Sequence, residues 1–327
     1  MEIRRALITG VSGQDGSYLA ELLHSKGYEV VGTQRRQSEG YLGRLAQATQ
    51  VFDVDLMQPQ LLGDLILRVR PTEVYHLAAH HFSSDTDAAG NGDLDPFVRV
   101  NLAAANNALE AIRSHLPGCR FFYAASSHVF GTPSESPQTE STPHSPETPY
   151  AITKSAAVHL CRYFRRAHGV YACAGILYNH ESPRRGSSFI TTRLARAAAW
   201  ASMGRPEPVL VRDLDATVDW GAAQDYVRAM WLTLQQDAPD EYIVAGGVGR
   251  TVSEFAETAF KAVGLPFREF VHGGFETKEE AIRPLVGNSR RLRERTGWRP
   301  QIGFPEMVDS MVRAHIDALR RARPVVR

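Results

Sequence analysis

The sequence predicts an α/β fold: a doubly wound parallel sheet over residues 1–177, then a smaller C-terminal lobe over residues 178–327 whose chain crosses back to the sheet. Three observations carry that prediction. A glycine-rich turn joins a strand to a helix at the N-terminus, strands and helices then alternate, and the rhythm breaks into loops and helices after Tyr178. Length agrees, since 327 residues exceed the roughly 250–300 at which a single core stops growing.

Arg5–Thr9 is a short apolar run that reads as a buried strand. Thr9-Gly10-Val11-Ser12-Gly13-Gln14-Asp15-Gly16 leads from it into an amphipathic helix that continues through Lys26 and stops at Gly27. Strand, glycine turn and helix form a Rossmann-type dinucleotide fingerprint, in which glycines let the backbone approach a pyrophosphate and the helix N-terminus supplies free N–H groups. Gly10, Gly13, Gln14, Asp15 and Gly16 are therefore placed at a cofactor, and the GxxGxxG spacing is the short-chain dehydrogenase/reductase variant. Residues 29–33 form the second strand. Arg35 and Arg36 follow it where an NAD-selecting enzyme sets an acid against the ribose 2′-hydroxyl, so NADP is expected, with NAD the alternative.

Residues 51–54 and 74–77 continue the strands, and residues 59–68 and 96–115 the helices. Asp55 and Leu56 fall at the adenine edge, and Leu77, Ala78 and Ala79 against the phosphates. His76, His80 and His81 gather at the end of the fourth strand without acidic or cysteine partners at ligand spacing. No metal is expected there, and His80 and His81 are assigned to the substrate. Residues 82–95, rich in Ser, Asp and Gly, read as a loop beside the cleft.

Residues 121–131 turn from apolar to small and hydroxylic before Gly131, a buried strand that delivers Ser126, Ser127 and His128 to a sheet edge. Residues 132–149 hold five prolines, the composition of a linker, yet they run directly into Pro149-Tyr150-Ala151-Ile152-Thr153-Lys154. Proline opens a helix there and stacks Tyr150 and Lys154 one turn apart. A tyrosine titrates near pH 10, too high for a base at neutrality, and an adjacent ammonium favours its phenolate. Tyr150 then takes a proton from a sugar hydroxyl while the attached carbon gives a hydride to nicotinamide. Ser126 donates to the same oxygen, and Lys154 holds the nicotinamide ribose.

A net charge of +1 with 43% apolar and 22% charged residues describes an ordinary soluble enzyme and excludes a general nucleic-acid or membrane surface. Arg184 and Arg185 remain as a local cluster able to meet phosphate. Cys119, Cys161 and Cys173 lack ligand spacing and read as reduced core thiols of a cytoplasmic protein; neither signal peptide nor membrane span is expected.

ALITGVSGQDGSYLAELL, Arg35-Arg36, PYAITK, GILYNHESPRRG and DWGAAQDYVRAMW together resemble the extended short-chain dehydrogenase/reductases that modify nucleotide sugars, in particular the GDP-mannose 4,6-dehydratases. The resemblance implies that Asn179, His180 and Arg185 line the cofactor and nucleotide-sugar cleft. It places Arg193 near the diphosphate and has Asp219 and Trp220 shape the nucleotide pocket. It also implies a homodimer or homotetramer. Two departures stand out. His128 occupies the place of the family's glutamate, which takes the C5 proton and assists loss of the C6 hydroxyl, and residues 278–281 replace its contact to guanine. With that glutamate gone, the expected reaction is C4 epimerisation of an NDP-hexose or NDP-heptose, of ADP or GDP type, through a 4-keto intermediate. A 4,6-dehydratase using His128 as base is the second reading and a 4-keto reductase the third. Retention of Tyr150 and Lys154 argues against a non-catalytic NADP sensor.

Overall fold

A computed structural model describes residues 4–35, 49–81, 93–273 and 284–322. Arg36, residues 82–92 and residues 278–281 lie outside the described residues. The first part of the chain alternates β1 (Arg5–Thr9), α1 (Gln14–Ser25), β2 (Glu29–Gln34), β3 (Gln50–Asp53), α2 (Gln60–Val69), β4 (Glu73–His76), α3 (Leu94–Phe97), α4 (Ala104–His115), β5 (Arg120–Ser126), α5 (Pro149–His168) and β6 (Ala172–Leu177). The remainder adds β7 (Asn179–Glu181), α6 (Ile190–Ser202), β8 (Val209–Val211), β9 (Thr217–Ala222), α7 (Ala223–Thr233), β10 (Glu241–Val244), β11 (Gly249–Thr251), α8 (Val252–Lys261), β12 (Val271–Gly273), α9 (Arg290–Thr296) and α10 (Phe304–Ala322).

Seven strands form one parallel sheet in the order β10-β6-β5-β4-β1-β2-β3. Both faces are covered, as a parallel sheet requires. Phe121, Tyr123 and Ala125 of β5 pack into the core shared with α2, α4 and α5, while Phe122 and Ala124 pack oppositely with α1 and α7. A third core joins α6, α8 and α10 to β8 and β9. Two small sheets, β11-β9-β7 and β12-β8, complete this second part. Strand order reverses between β1 and β4, and a crevice opens there at the carboxyl ends of the strands.

Two boundaries differ from the sequence reading, and both matter for the site. The helix expected from residue 96 begins at Leu94, and a π-helical turn, Val98–Ala103, separates α3 from α4. The strand expected to reach His128 ends at Ser126, because Ser127–Phe130 wind into a 3₁₀ turn closed by Gly131 at φ +53. A Cβ at Gly131 would lie 1.9 Å from the Ser145 carbonyl oxygen, so only glycine allows this closure.

The proline-rich segment is docked. The Gln138 N–H donates to Val286 O (2.8 Å), its side-chain oxygen accepts from Val286 N (3.0 Å) and from the Tyr178 hydroxyl (2.8 Å), and Glu140 accepts from Ile243 N (3.0 Å). Buried Glu241 on β10 pairs with Arg162 and Arg165 of α5. Buried Asp219 on β9 accepts from the N–H groups of Gly246 (2.9 Å), Gly247 (2.9 Å) and Gly287 (3.1 Å). Burial pushes its carboxyl up to about 6 against those three donors. Among the described residues no helix is long and apolar enough to cross a membrane.

Replacing Asp219 with alanine strands three backbone donors, each costing about 1–3 kcal/mol when buried and unpaired. Asp219→Ala is expected to lower unfolding stability by roughly 3 kcal/mol or more, measured by urea titration, and Asp219→Asn by less.

Candidate active site

The glycine turn builds one wall of a cleft of about 350 Å³. Gly10 adopts φ +71 and lies so close to the next segment that a Cβ on it would sit 3.2 Å from the Ala78 backbone. A Cβ on Gly16 would lie 2.2 Å from the Gly10 carbonyl, which is how α1 seats tightly on the turn. Gly13 caps α1 without a side-chain bond, leaving first-turn N–H groups for an anion. Across the cleft, Thr9 Oγ1 accepts from Leu77 N and Ala78 N (3.0 Å each). Its proton is thereby directed to His76 Nδ1 at 3.0 Å, and burial drives the His76 imidazole down to about 3. Arg35, Asp55, Leu56, Ala79 and His80 line the same cleft. His80 was expected at the substrate, but Asn101 holds its backbone on both sides (2.8 and 3.1 Å) and its ring packs on Phe97.

Gln14 and Asp15 turn toward β7. Gln14 Nε2 donates to His180 O (3.1 Å), Ser182 Oγ donates to Gln14 Oε1 (2.8 Å), and Asp15 Oδ2 pairs with His180 Nε2 at 2.8 Å. His180 Nδ1 meets Tyr178 O at 2.7 Å, and its ring stacks on Tyr226. Burial opposes both charges, yet the pairing wins: His180 is raised and Asp15 lowered from their ordinary values. His180, expected at the cofactor, supports the cleft through Asp15.

Ser126 ends β5, its hydroxyl accepts from His128 N (3.3 Å), and its side chain acts on the Tyr150 phenol. Burial raises the Tyr150 phenol, Ser126 and the charge of Arg185 oppose that rise, and Asp15 adds to it, leaving the phenol above its usual value. Lys154 is not the neighbour that offsets burial. Its Nζ donates to Ala124 O (2.7 Å), lies 5.7 Å from the Tyr150 ring centre, and is drawn down to about 7 by burial. Ser127, expected beside Ser126, is buried by the 3₁₀ turn and lines neither cleft. That same turn rotates His128 outward. Its ring meets Tyr150 edge-on with centres 6.1 Å apart and opens into a second cavity, while protein packed around its other sides lowers its imidazole.

This second cavity, about 420 Å³, brings His81, His128, Asn179, Arg185, Arg193 and Trp220 together with Glu181, Phe189, Thr191 and Arg212. His81 lies 5.2 Å from Tyr150, ring to ring, and is held down to about 4 by burial and by the charges of Arg185, His128, Lys154 and His80. Arg184 was expected to meet phosphate with Arg185, but it is drawn away to Ser17 and Glu21 and stacks over Tyr18. Trp220 is largely buried against Phe255 and Phe304 and presents only an edge. Sequence reasoning missed Asn101, Glu181 and Phe189. Asn101 left a signal, a polar residue at helical spacing on the apolar stripe of Ala104, Ala105, Ala108 and Ile112; the other two left none. Among the described residues no group of three His, Cys, Asp or Glu is placed to hold a metal.

The family model for GDP-mannose 4,6-dehydratase matches residues 7–311. GDP-mannose 4,6 dehydratase 2 of Arabidopsis thaliana is 38% identical over 98% of this chain and 89% of its own length, and GDP-mannose 4,6 dehydratase of Homo sapiens 36% over 96% and 92%. Thermus thermophilus UDP-glucose 4-epimerase, solved with NAD, superposes with a TM-score of 0.80 at 24% identity, covering 98% of this chain and 100% of its own. The Bacillus anthracis dTDP-glucose 4,6-dehydratase gives 0.81 at 17%, covering 97% and 98%. These two structures share the fold. The expected C4 epimerase is overturned by the near-full-length relatives, which are dehydratases. A 4,6-dehydratase, the second reading of the sequence, is what these relatives favour.

The Asp15–His180 pair has a pH signature. His180 contributes stability that is complete below about pH 6.5 and lost as pH rises through its raised folded pKa; Asp15 contributes above about pH 3.8 and loses it as pH falls through its lowered one. Thermal melting of the wild type should therefore decline above about pH 6.5, and Asp15→Asn should flatten that decline.

Proposed function

The chain belongs to the GDP-mannose 4,6-dehydratase family, and from that premise we propose that it removes water from a nucleotide sugar as a 4,6-dehydratase, with His128 as the base at C5. The cofactor is a nicotinamide dinucleotide, and the first cleft fits one, with a backbone approach at Gly10 that leaves no room for a side chain and an uncapped helix N-terminus for the pyrophosphate. Gly10, Gly13 and Ala78 would hold the phosphates, Asp55 and Leu56 the adenosine, and Tyr150 and Lys154 the nicotinamide ribose. Arg35 at the cleft favours NADP, because a guanidinium meets a 2′-phosphate where an acid would repel it. When bound, that dinucleotide would supply hydride acceptance from C4 and hydride return at C6, which makes the overall reaction redox-neutral.

Tyr150, steered by Ser126, takes the proton of the C4 hydroxyl. The resulting ketone acidifies the neighbouring C5–H, and His128 accepts that proton on its free imidazole nitrogen. Its lowered pKa keeps the ring neutral near pH 7 and ready to accept. His128 then passes the proton to the C6 hydroxyl as the C6–O bond breaks and water leaves. The proton held by Tyr150 balances the one that returns to C5, so the net loss is one water. Arg185, Arg193 and Arg212 around the cavity suit a diphosphate, and the relatives point to GDP-mannose as the substrate.

The observation that carries this reading is the position of His128, in the substrate cavity and edge-on to Tyr150. With GDP-mannose and NADP, mass spectrometry should show a product lighter by one water, carrying solvent deuterium at C5. An unchanged mass with inverted C4 refutes the proposal. His128→Ala should slow water loss about 100-fold or more while enzyme-bound cofactor is still reduced, and His128→Glu should restore turnover.

A further inference from the structure

We propose that Phe189 is a positioning residue of the active site, its ring fixing the Arg185 guanidinium on one side and the His81 imidazole on the other, and so setting how both bear on Tyr150. The Arg185 guanidinium lies 3.6 Å over the centre of the Phe189 ring. His81 meets the same ring edge-on, centres 5.4 Å apart at 75°, and stands 5.2 Å from Tyr150. Arg185 also faces Glu181, with Nε 3.3 Å from Oε2, but this is an ion pair without hydrogen-bond geometry, since that buried Nε–H has no hydrogen-bond partner among the described residues. Glu181 thus supplies charge, while the aromatic face supplies the plane in which the guanidinium lies.

Phe189 is itself well placed to impose geometry. It sits at the N-terminus of α6, with its carbonyl accepting from Arg193 N (3.0 Å) and its N–H donating to Gly186 O (3.3 Å). Glu181 is fixed by the same helix, through the Thr191 hydroxyl at 2.7 Å. One helix end therefore orients both partners of Arg185. The groups facing His81 are Arg185, His128, Lys154 and His80, all of which, with burial, keep its imidazole neutral. The charge of Arg185 also opposes the burial that raises Tyr150. Removing the ring lets the guanidinium swing away and relieves its charge on His81.

The test compares Phe189→Leu, which removes the aromatic face, with Phe189→Tyr, which keeps it; Phe189→Met carries the same comparison should the leucine variant fail to fold. The histidine Cε1–H signals of each protein are followed by NMR from about pH 5 to 8, with His81 assigned by loss of its peak in His81→Asn. Wild type and Phe189→Tyr should show a His81 that does not titrate in that window, and Phe189→Leu one that does. In parallel, KM for GDP-mannose should rise roughly tenfold in Phe189→Leu, with kcat changed less. A His81 that stays neutral throughout in Phe189→Leu overturns the proposal, as does an equal effect in Phe189→Tyr. The turnover measurement rests on the dehydratase reading, but the NMR titration does not. Wild-type protein inactive on the nucleotide sugar would therefore sink that reading while leaving the role of Phe189 decided by the spectra.

Discussion

Two side chains in the first turn of α1 reach across to β7, and this contact joins the two clefts into one site. Gln14 and Asp15 follow the glycine turn that walls the first cleft, and they hold His180 and Ser182. On β7, successive side chains point to opposite sides, so a strand fixed through His180 presents Asn179 and Glu181 to the substrate cavity. Arg184 adds a second tether from the same loop to Ser17 and Glu21 on α1. The register between the two clefts is thus set by a few polar contacts, most of them partly buried. Such contacts are strong where water is excluded, and they are unforgiving of a missing partner.

Tyr150 shows why this arrangement matters chemically. The sequence pairs it with Lys154 at one helical turn, which suggests an ammonium resting against the phenol. In the fold the lysine reaches back to the Ala124 carbonyl, and the cation that acts on the phenol is Arg185, thirty-five positions later. Asp15 pulls the other way. The phenol responds to the balance of a helix residue and a loop residue that are distant in sequence, and spacing along α5 could not reveal that.

Much of the architecture was legible for ordinary physical reasons. Strands that alternate side chains between two cores leave long apolar runs, as β5 does, and α1, α2, α7, α8 and α10 carry helical periodicity. The three-residue strands β7, β8, β11 and β12 are too short for any period to show, and two of them, β7 and β8, line the second cavity. Ser127 is buried and His128 turns outward because a tight 3₁₀ turn replaced an assumed extension of the strand. The reaction was misjudged at that same place. One substitution, His128 for a glutamate, tipped the reading from dehydratase to epimerase, although a base is defined by a lone pair in the right position and imidazole offers one.

The docked proline-rich segment also has a consequence for how the chain reaches its native state. Gln138 bonds to Val286 at a separation of 148 positions, and β10 pairs with β6 only after the intervening lobe has been made. A chain emerging from its N-terminus therefore exposes the edge of β6 and the flank of α5 until residues 241–244 arrive. Closing so long a loop is paid for in entropy before the contacts repay it, which slows the final assembly. The bonds of Gln138 to Val286 and of Glu140 to Ile243 can form only then, long after α5 itself has been made.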